Sequence, residues 1–359
     1  METAQQATWG SEAPPWHISL PAADELAGGD GDRDAGPARQ PGCPDSPGLH
    51  IPVMPREVEE CLSPALGGLY VDATVGMGGH AEIILAAGPD NRLLGIDRDA
   101  EALEMARRRL AAFGDRVTLA HADYRELPDI LDRHQDRLGS GRSGTLAGLV
   151  ADLGISSYQL GAPGRGFSFQ RDEPLDMRMD RSRGLTAADL VSSEREEELA
   201  DIFFKFGEER RSRRVARAIV EKRRREPIRT TGELARLVAR AVPRSGRIHP
   251  ATRVFQALRI AVNDELAGID TFVNDSVEAL QARGRLVILA FHSLEDRLVK
   301  TTLHHLANLC SCPRSVPRCA CGSPDRVRLL SRKPLRPSEE EAAANPRSRS
   351  ARLRAAERL

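Results

Sequence analysis

Tyr70-Val71-Asp72-Ala73-Thr74-Val75-Gly76-Met77-Gly78-Gly79-His80 is the stretch that decides the fold. An apolar strand runs into a glycine loop, and Ala81-Glu82-Ile83-Ile84-Leu85-Ala86 then reads as the start of a helix. Glycine has no Cβ and tolerates positive φ, so a ligand can approach such a strand–loop–helix turn closely. A second strand, Arg92-Leu93-Leu94-Gly95-Ile96-Asp97, ends in an acid 18 residues after Gly79. An α/β fold that holds a nucleoside places a carboxylate there for the ribose hydroxyls. Loop, strand and terminal acid in register point to a nucleoside cofactor.

The flanking pattern extends the α/β reading. Strands are expected at 69–74, 92–97, 117–121 and 146–152, and helices at 57–62, 99–113 and around 125–131, with Asp99 an N-cap. Alternating units of this size imply a parallel sheet with helices on both faces. The alternation stops between Gly154 and Pro250. A glycine-rich loop (Gly161 to Gly166), a polar segment with two methionines (Asp172 to Asp180) and a long Arg-rich, helix-favouring stretch lie there. It resumes with helices from 251 to 266 and on to 280, then the strand Arg285-Leu286-Val287-Ile288-Leu289-Ala290-Phe291. Residues 155–248 therefore read as a helical insertion. It leaves from the carboxyl end of a strand, where open α/β sheets bind ligands, so it is placed to cover the site and select a substrate.

Composition bounds the rest. The chain has 359 residues, long enough for one enlarged domain or two, and 52 basic side chains balance 52 acidic ones. No apolar run approaches the ~18–20 residues that span a bilayer. The N-terminus shows no basic n-region followed by an apolar h-region, and its acids argue against a mitochondrial transit peptide, so the reading is cytoplasmic. Residues 1–48, rich in Pro, Gly, Ala and Asp, are expected to be a disordered extension. Cys310, Cys312, Cys319 and Cys321 form a cluster of the kind that can hold structural zinc. Their C-x-C spacing is a less usual chelate than C-x-x-C, so a cysteine-rich loop is preferred and no metal is assigned.

Strand four, Leu146-Ala147-Gly148-Leu149-Val150-Ala151-Asp152, ends in an acid followed by glycine and two serines, Ser156 and Ser157. Strands one, two and four thus bring a carboxylate or a glycine loop to one sheet edge, and Asp152 is assigned a ligand role. The loop Gly76-x-Gly78-Gly79-His80 lacks the third glycine of a nicotinamide-binding fingerprint. It suits S-adenosylmethionine, with the amino-acid end facing the glycines, the ribose meeting Asp97, and Asp123 and Tyr124 beside the adenine.

Together these segments resemble the bacterial small-subunit ribosomal RNA (cytosine-N4)-methyltransferase family. The resemblance rests on His50-Ile51-Pro52-Val53-Met54, Asp72 to His80, Asp97-Arg98-Asp99 and Asp152 to Ser157, then Arg165-Gly166-Phe167-Ser168-Phe169 and Pro174 to Asp180. It continues through Phe206-Gly207-Glu208-Glu209, Thr252 to Ile260, Phe291 to Arg297 and Asn345 to Ala351, in order from about residue 49 to the C-terminus. It implies a Rossmann-like class I methyltransferase sheet built from 49–154 and 249–309. The helical substrate-recognition domain of 155–248 is inserted in it, and a cysteine-containing loop and basic tail, 310–359, follow. It also implies methyl transfer from S-adenosylmethionine to a decoding-centre cytidine of 16S rRNA, with that RNA or the small subunit as partner. By motif, the cofactor contacts fall on Gly78, Gly79, His80, Asp97, Tyr124, Asp152 and Gln159. Phe206 stands where the family often has Tyr, and Tyr124 where it often has Phe; both keep the ring.

The cytosine amine is a poor nucleophile because its lone pair is delocalised, so it must be held in line and given a hydrogen-bond acceptor. Related N4-amino methyltransferases often carry an Asp/Ser/Asn-Pro-Pro-aromatic segment after strand four; here Asp152 to Ser157 occupies that place without prolines. Asp152, Ser156, Ser157, Asp176 and His292 are the candidate acceptors. The dense basic block from Lys205 to Arg225 and the Arg-rich segment from Arg326 to Arg354 are read as phosphate-binding faces. His249 and Arg253 either face the cofactor or cap and pair locally. The competing function is a non-catalytic RNA-binding assembly factor on the same fold.

Overall fold

The structure, a computed structural model, describes residues 51–138, 144–243, 249–308 and 325–359. The extension 1–48 and the four clustered cysteines lie outside the described residues. Seven strands form one sheet: β1 Gly68–Asp72, β2 Asn91–Asp97, β3 Val117–His121, β4 Leu146–Asp152, β5 Leu280–Ala290, β6 Val327–Leu329 and β7 Arg352–Arg358. Their order is β3-β2-β1-β4-β5-β7-β6. The first five are parallel, while β7 pairs antiparallel with β5 and β6. Leu69 to Val71, Leu93 to Ile96 and Leu146 to Ala151 are buried almost without a break, as expected of strands covered on both faces. Strand order reverses between β1 and β4, so a crevice opens at their carboxyl ends.

Helices α1 Pro55–Leu62, α2 Gly79–Ala86, α3 Ala100–Arg109 and α4 Leu127–Leu138 belong to the first half. The Asp99 carboxylate caps α3 by accepting from the Glu101 amide, and Arg107, Arg108 and Arg109 complement the helix dipole at its other end. The expected helix over 99–113 is shorter, because Ala111–Arg116 turns as a 3-10 helix with Gly114 at φ 55°.

Between β4 and β5 the elements among the described residues are all helices: α5 Ser157–Gly161, α6 Ala187–Ser193, α7 Glu196–Lys205, α8 Ser212–Arg223, α9 Thr231–Ala241, α10 Ala251–Asn263 and α11 Ile269–Ala279. On α8, Val215, Ala216, Ile219 and Val220 face inward and Arg213, Arg214 and Arg217 face outward, the spacing of an amphipathic helix. A Cβ at Gly207 would stand 2.5 Å from the Arg253 carbonyl, so glycine lets the α7–α8 link press on α10. His50–Leu359 packs as one compact unit. No helix among the described residues is long and apolar enough to cross a membrane.

The last segment differs from the expected basic tail. Helices α12 Ser293–Leu306 and α13 Glu339–Ala344 follow β5, and Arg352–Arg358 is then an interior strand of the sheet. Leu353, Ala355 and Ala356 are buried, while Arg352 and Arg354 reach Asp296 of α12 at 3.0 and 2.6 Å. Arginines satisfied by a buried acid resemble solvent-facing charge when read from sequence alone.

Candidate active site

A cavity of about 330 Å³ lies at the carboxyl ends of β1, β2, β4 and β5. Its first wall is the turn after β1. Gly76 (φ 51°) donates its N–H to Asp97 Oδ2 at 2.8 Å. A Cβ on Gly79 would stand 3.0 Å from Pro52, so glycine lets the Pro52-Val53 segment close over the cavity. Gly78 does not line it; its missing side chain makes room for Leu110.

Asp97 closes β2. Its two oxygens accept from the Gly76 and Asp99 amides, leaving lone pairs free for hydroxyl donors. Burial pushes its carboxyl up, and those two amides oppose the shift. Behind it, Asp99 Oδ2 accepts from Gln159 Nε2 (2.9 Å) and from the Arg165 guanidinium (2.7 Å). Ser156 and Gln159 form the capping box of α5: the Ser156 hydroxyl accepts from the Gln159 amide at 3.1 Å, and Gln159 Oε1 from the Ser156 amide at 3.0 Å. The Tyr124 ring lines the cavity with its centroid 4.6 Å from that of Phe272, and burial raises its hydroxyl above the usual range.

The third wall holds polar atoms without partners. His80 is 5 % exposed, neither ring nitrogen makes a hydrogen bond, and Nε2 stands 3.8 Å from Asp152 Oδ2. Asp152 Oδ1 is also unpartnered, while the Asp152 amide donates to Thr74 Oγ1 at 2.6 Å. Buried polar groups are normally satisfied, so an unpaired histidine and carboxylate at a cavity wall mark the place of a ligand. Asp72 lies behind them, 1 % exposed, with Oδ1 accepting from the Thr74 amide. Burial pushes its carboxyl up to about 7; His80 and the Thr74 amide pull the other way, and Asp152 and Asp97 add to the rise.

Folding therefore favours the protonated form of Asp72. Its contribution to stability is complete below about pH 4 and is lost as pH rises through about 7. Asn at this position keeps an oxygen for the Thr74 amide and removes the titration. The stability of Asp72→Asn relative to the parent should thus rise between pH 5 and pH 8 by about 2–3 kcal/mol. Thermal unfolding of both proteins at the two pH values measures this, and a constant gap overturns it.

Of the sequence candidates, Gly79, His80, Asp97, Tyr124, Asp152, Ser156 and Gln159 share this cavity. The Ser157 side chain lies outside the described residues. Asp176 does not line the cavity, and Arg178 grips its carboxylate at 2.8 and 3.0 Å. Burial would raise that carboxyl, but the Arg178 bonds hold it below the usual range. His292 caps α12 through Nδ1 and sits behind Glu295, which does reach the cavity. His249 caps α10 by accepting from the Ala251 amide, and Arg253 donates to the Glu208 carbonyl; neither lines the cavity.

Sequence reading passed over Asp72, Arg259, Glu265 and Glu295, of which the last three line the cavity while Asp72 lies behind it; Arg347, read from sequence as part of a phosphate-binding segment, lines the cavity with Pro346. Asp72 carried the same strand-end signal as Asp97 and Asp152. Glu295 carried a capping-box signal, three residues into the helix after β5. Ligand-type atoms of Glu265, His292 and Glu295 lie within 4.8 Å of one another. Arg259 already holds both Glu265 oxygens at 2.9 and 2.8 Å, so the group is a charge network around a guanidinium.

Residues 48–359 match the sequence profile of the MraW methylase family. The chain is 51% identical over 313 residues to a ribosomal RNA small subunit methyltransferase H from Syntrophobacter fumaroxidans, covering 86% of this chain and 96% of that one. It is 52% identical over 314 residues to the protein of that name from Syntrophotalea carbinolica, covering 86% and 98%. A crystal structure described as an rRNA methylase from Streptococcus thermophilus has a TM-score of 0.35 at 11% identity over 85% of this chain and 93% of that one, too distant to carry an argument. The profile match and the two full-length relatives agree: the chain belongs to the MraW methylase family.

Proposed function

We propose that this protein transfers a methyl group from S-adenosylmethionine to the exocyclic N4 amine of a decoding-centre cytidine in 16S ribosomal RNA. The observation that carries the reading is the wall of unpartnered His80 and Asp152 beside Asp97 and Tyr124, in a chain about half identical to proteins named as small-subunit rRNA methyltransferases. S-adenosylmethionine, when bound, supplies a methyl group made electrophilic by its sulfonium.

The chain's own residues do the rest. Asp97 offers lone pairs to the ribose hydroxyls, and the Tyr124 ring faces the adenine. Asp152, backed by Asp72, meets the ammonium. Pro52, Phe291 and Met179 keep water from the cavity walls. The site then has to hold the amine in line and take one hydrogen bond from it. A base inside a folded RNA must leave its stack to enter such a cavity.

Phosphate contacts fall to the arginines that the fold leaves outward. Arg223 is spent on the Val191 and Glu194 carbonyls, Lys222 on Glu226, Lys205 on Asp201 and Arg217 on Glu196. Arg210, Arg211, Arg213 and Arg214 remain exposed at the start of α8.

Purified protein, labelled S-adenosylmethionine and small subunits lacking the modification give the test, with nucleoside mass spectrometry of the product. N4-methylcytidine in 16S rRNA is the expected product. Label on another atom overturns the N4 reading. Cofactor binding without label in RNA favours the non-catalytic assembly factor instead.

A further inference from the structure

Among the described residues, five carboxylates line the cavity: Asp97, Asp123, Asp152, Glu265 and Glu295. Three are committed elsewhere. Asp97 accepts from two backbone amides, and its remaining lone pairs are those assigned above to the ribose. Asp123 is gripped by Arg125 at 3.0 and 2.7 Å, with Arg98 at 3.8 Å. Glu265 is held by Arg259 through both oxygens. Asp152 faces His80, on the wall assigned above to the ammonium. Glu295 is left.

Glu295 is 1 % exposed and opens α12 just beyond β5. Its Oε2 accepts from the Phe291 amide at 2.9 Å and the His292 amide at 3.4 Å. Its Oε1 stands 3.1 Å from His292 Nε2, which makes no well-aligned hydrogen bond. A Cβ built on Gly154 would come within 3.8 Å of that same oxygen. Oε1 therefore looks across the gap that glycine leaves in the turn after β4. In that turn the Ser156 hydroxyl caps α5 by accepting from the Gln159 amide.

We propose that Glu295 is the catalytic residue that accepts a hydrogen from the target N4 amine, with His292 as the positioning residue that fixes its carboxylate. The proposal rests on the cytosine-amine reading given above. Burial works against the charge on Glu295, but His292, Arg259 and the Phe291 amide hold its carboxyl below the usual range, so it meets the amine as an acceptor. In the transfer, the amine nitrogen bonds to the methyl carbon and the carbon–sulfur bond breaks, its electron pair staying on sulfur. The surplus proton on nitrogen passes to Glu295 Oε1 and from there to water. The bonding pattern explains why the carboxylate is well placed without being a strong base: an excellent methyl donor asks for orientation more than proton affinity.

Glu295→Gln tests this. The amide can still accept from the Phe291 backbone, but its NH₂ can now face the amine donor to donor. The expected result is a kcat lower by about 100-fold or more, with S-adenosylhomocysteine affinity by calorimetry and the melting temperature close to the parent's. Glu295→Asp, which keeps the charge, should recover part of the loss. A Gln variant within about fivefold of the parent rate overturns the proposal. So does a loss of cofactor affinity or melting temperature in step with the rate, which would make Glu295 a structural cap. The parent run alongside separates the two readings: if it makes no N4-methylcytidine, the reaction assignment fails first and takes this role with it.

Discussion

Replacing Arg165 with Met should cost roughly 3–5 kcal/mol of folding stability, because it strips one partner from a buried ion pair. Side-chain exposure is 1 % for Arg165 and 3 % for Asp99, and the pair meets at 2.7 Å. The same guanidinium donates to Glu101 Oε2 at 3.1 Å and to the Arg178 and Met179 carbonyls at 3.2 and 3.0 Å. It thereby ties the loop before α6 to the first turn of α3. Methionine fills the space but leaves a buried carboxylate with Gln159 alone among side chains, and two carbonyls without their donor. A loss of this size is a large share of the 5–15 kcal/mol typical of a folded domain. Lysine should recover only part, since a single ammonium lacks the planar fork that reaches four acceptors on two segments at once. Urea titration measures the change. A Met variant within about 1 kcal/mol of the parent would show that the network is worth no more than exposed pairs are. Because the Asp99 amide also donates to Asp97 and Met179 lines the cavity, the variant should bind cofactor more weakly too.

Asp97→Ala is the second large effect. Cofactor affinity should fall by about 1.5–3 kcal/mol, the range for charge-assisted hydrogen bonds, or about 10- to 150-fold. Two losses add here. The ribose hydroxyls lose their acceptor, and the Gly76 and Asp99 amides lose the carboxylate that now shapes the turn around them. Calorimetry with S-adenosylhomocysteine reads the sum. Unchanged affinity would refute the ribose role, whatever happens to turnover.

Much of the fold was legible because the relevant signals are local. Val117–His121 and Leu146–Asp152 coincide with their expected strands; the second is buried up to Asp152 and reads as an unbroken apolar run, while the first is a partly exposed edge strand. Strand one stops at Asp72 rather than Thr74, as the chain starts to turn early toward Gly76. The pattern failed at Arg352–Arg358. Four of its seven residues are charged, and partners on other elements make a buried strand of them: Asp296 of α12 for Arg352 and Arg354, Arg285 and Arg328 of the flanking strands for Glu357, and the Glu278 and Leu280 carbonyls for Arg358.

The site divides along the same line. From sequence, strand ends and a glycine loop located Gly79, Asp97 and Asp152, because a side chain at the end of a parallel strand must point at the crevice. Asp176 looked equally acidic, yet its fate depends on Arg178 two residues on, which claims both oxygens. His292 and Glu295 share one motif. Only the packing of α12 against the turn at Gly154 turns the glutamate toward the cavity and leaves the histidine behind it.

The sequence by itself determined the sheet's first five strands, the glycine turn of Gly76 to Gly79 and the place of Asp97 at a strand end beside that turn. Those depend on hydrophobic period and backbone freedom, which are properties of neighbours in the chain. Tertiary structure alone decided which charges are spent and which are free. Arg165 meets Asp99 from 66 residues away, and Asp176, Glu265 and Glu295, whose partners lie within six residues, reach the cavity or miss it according to how distant segments pack around them; a carboxylate's chemistry follows from those surroundings, not from its own identity.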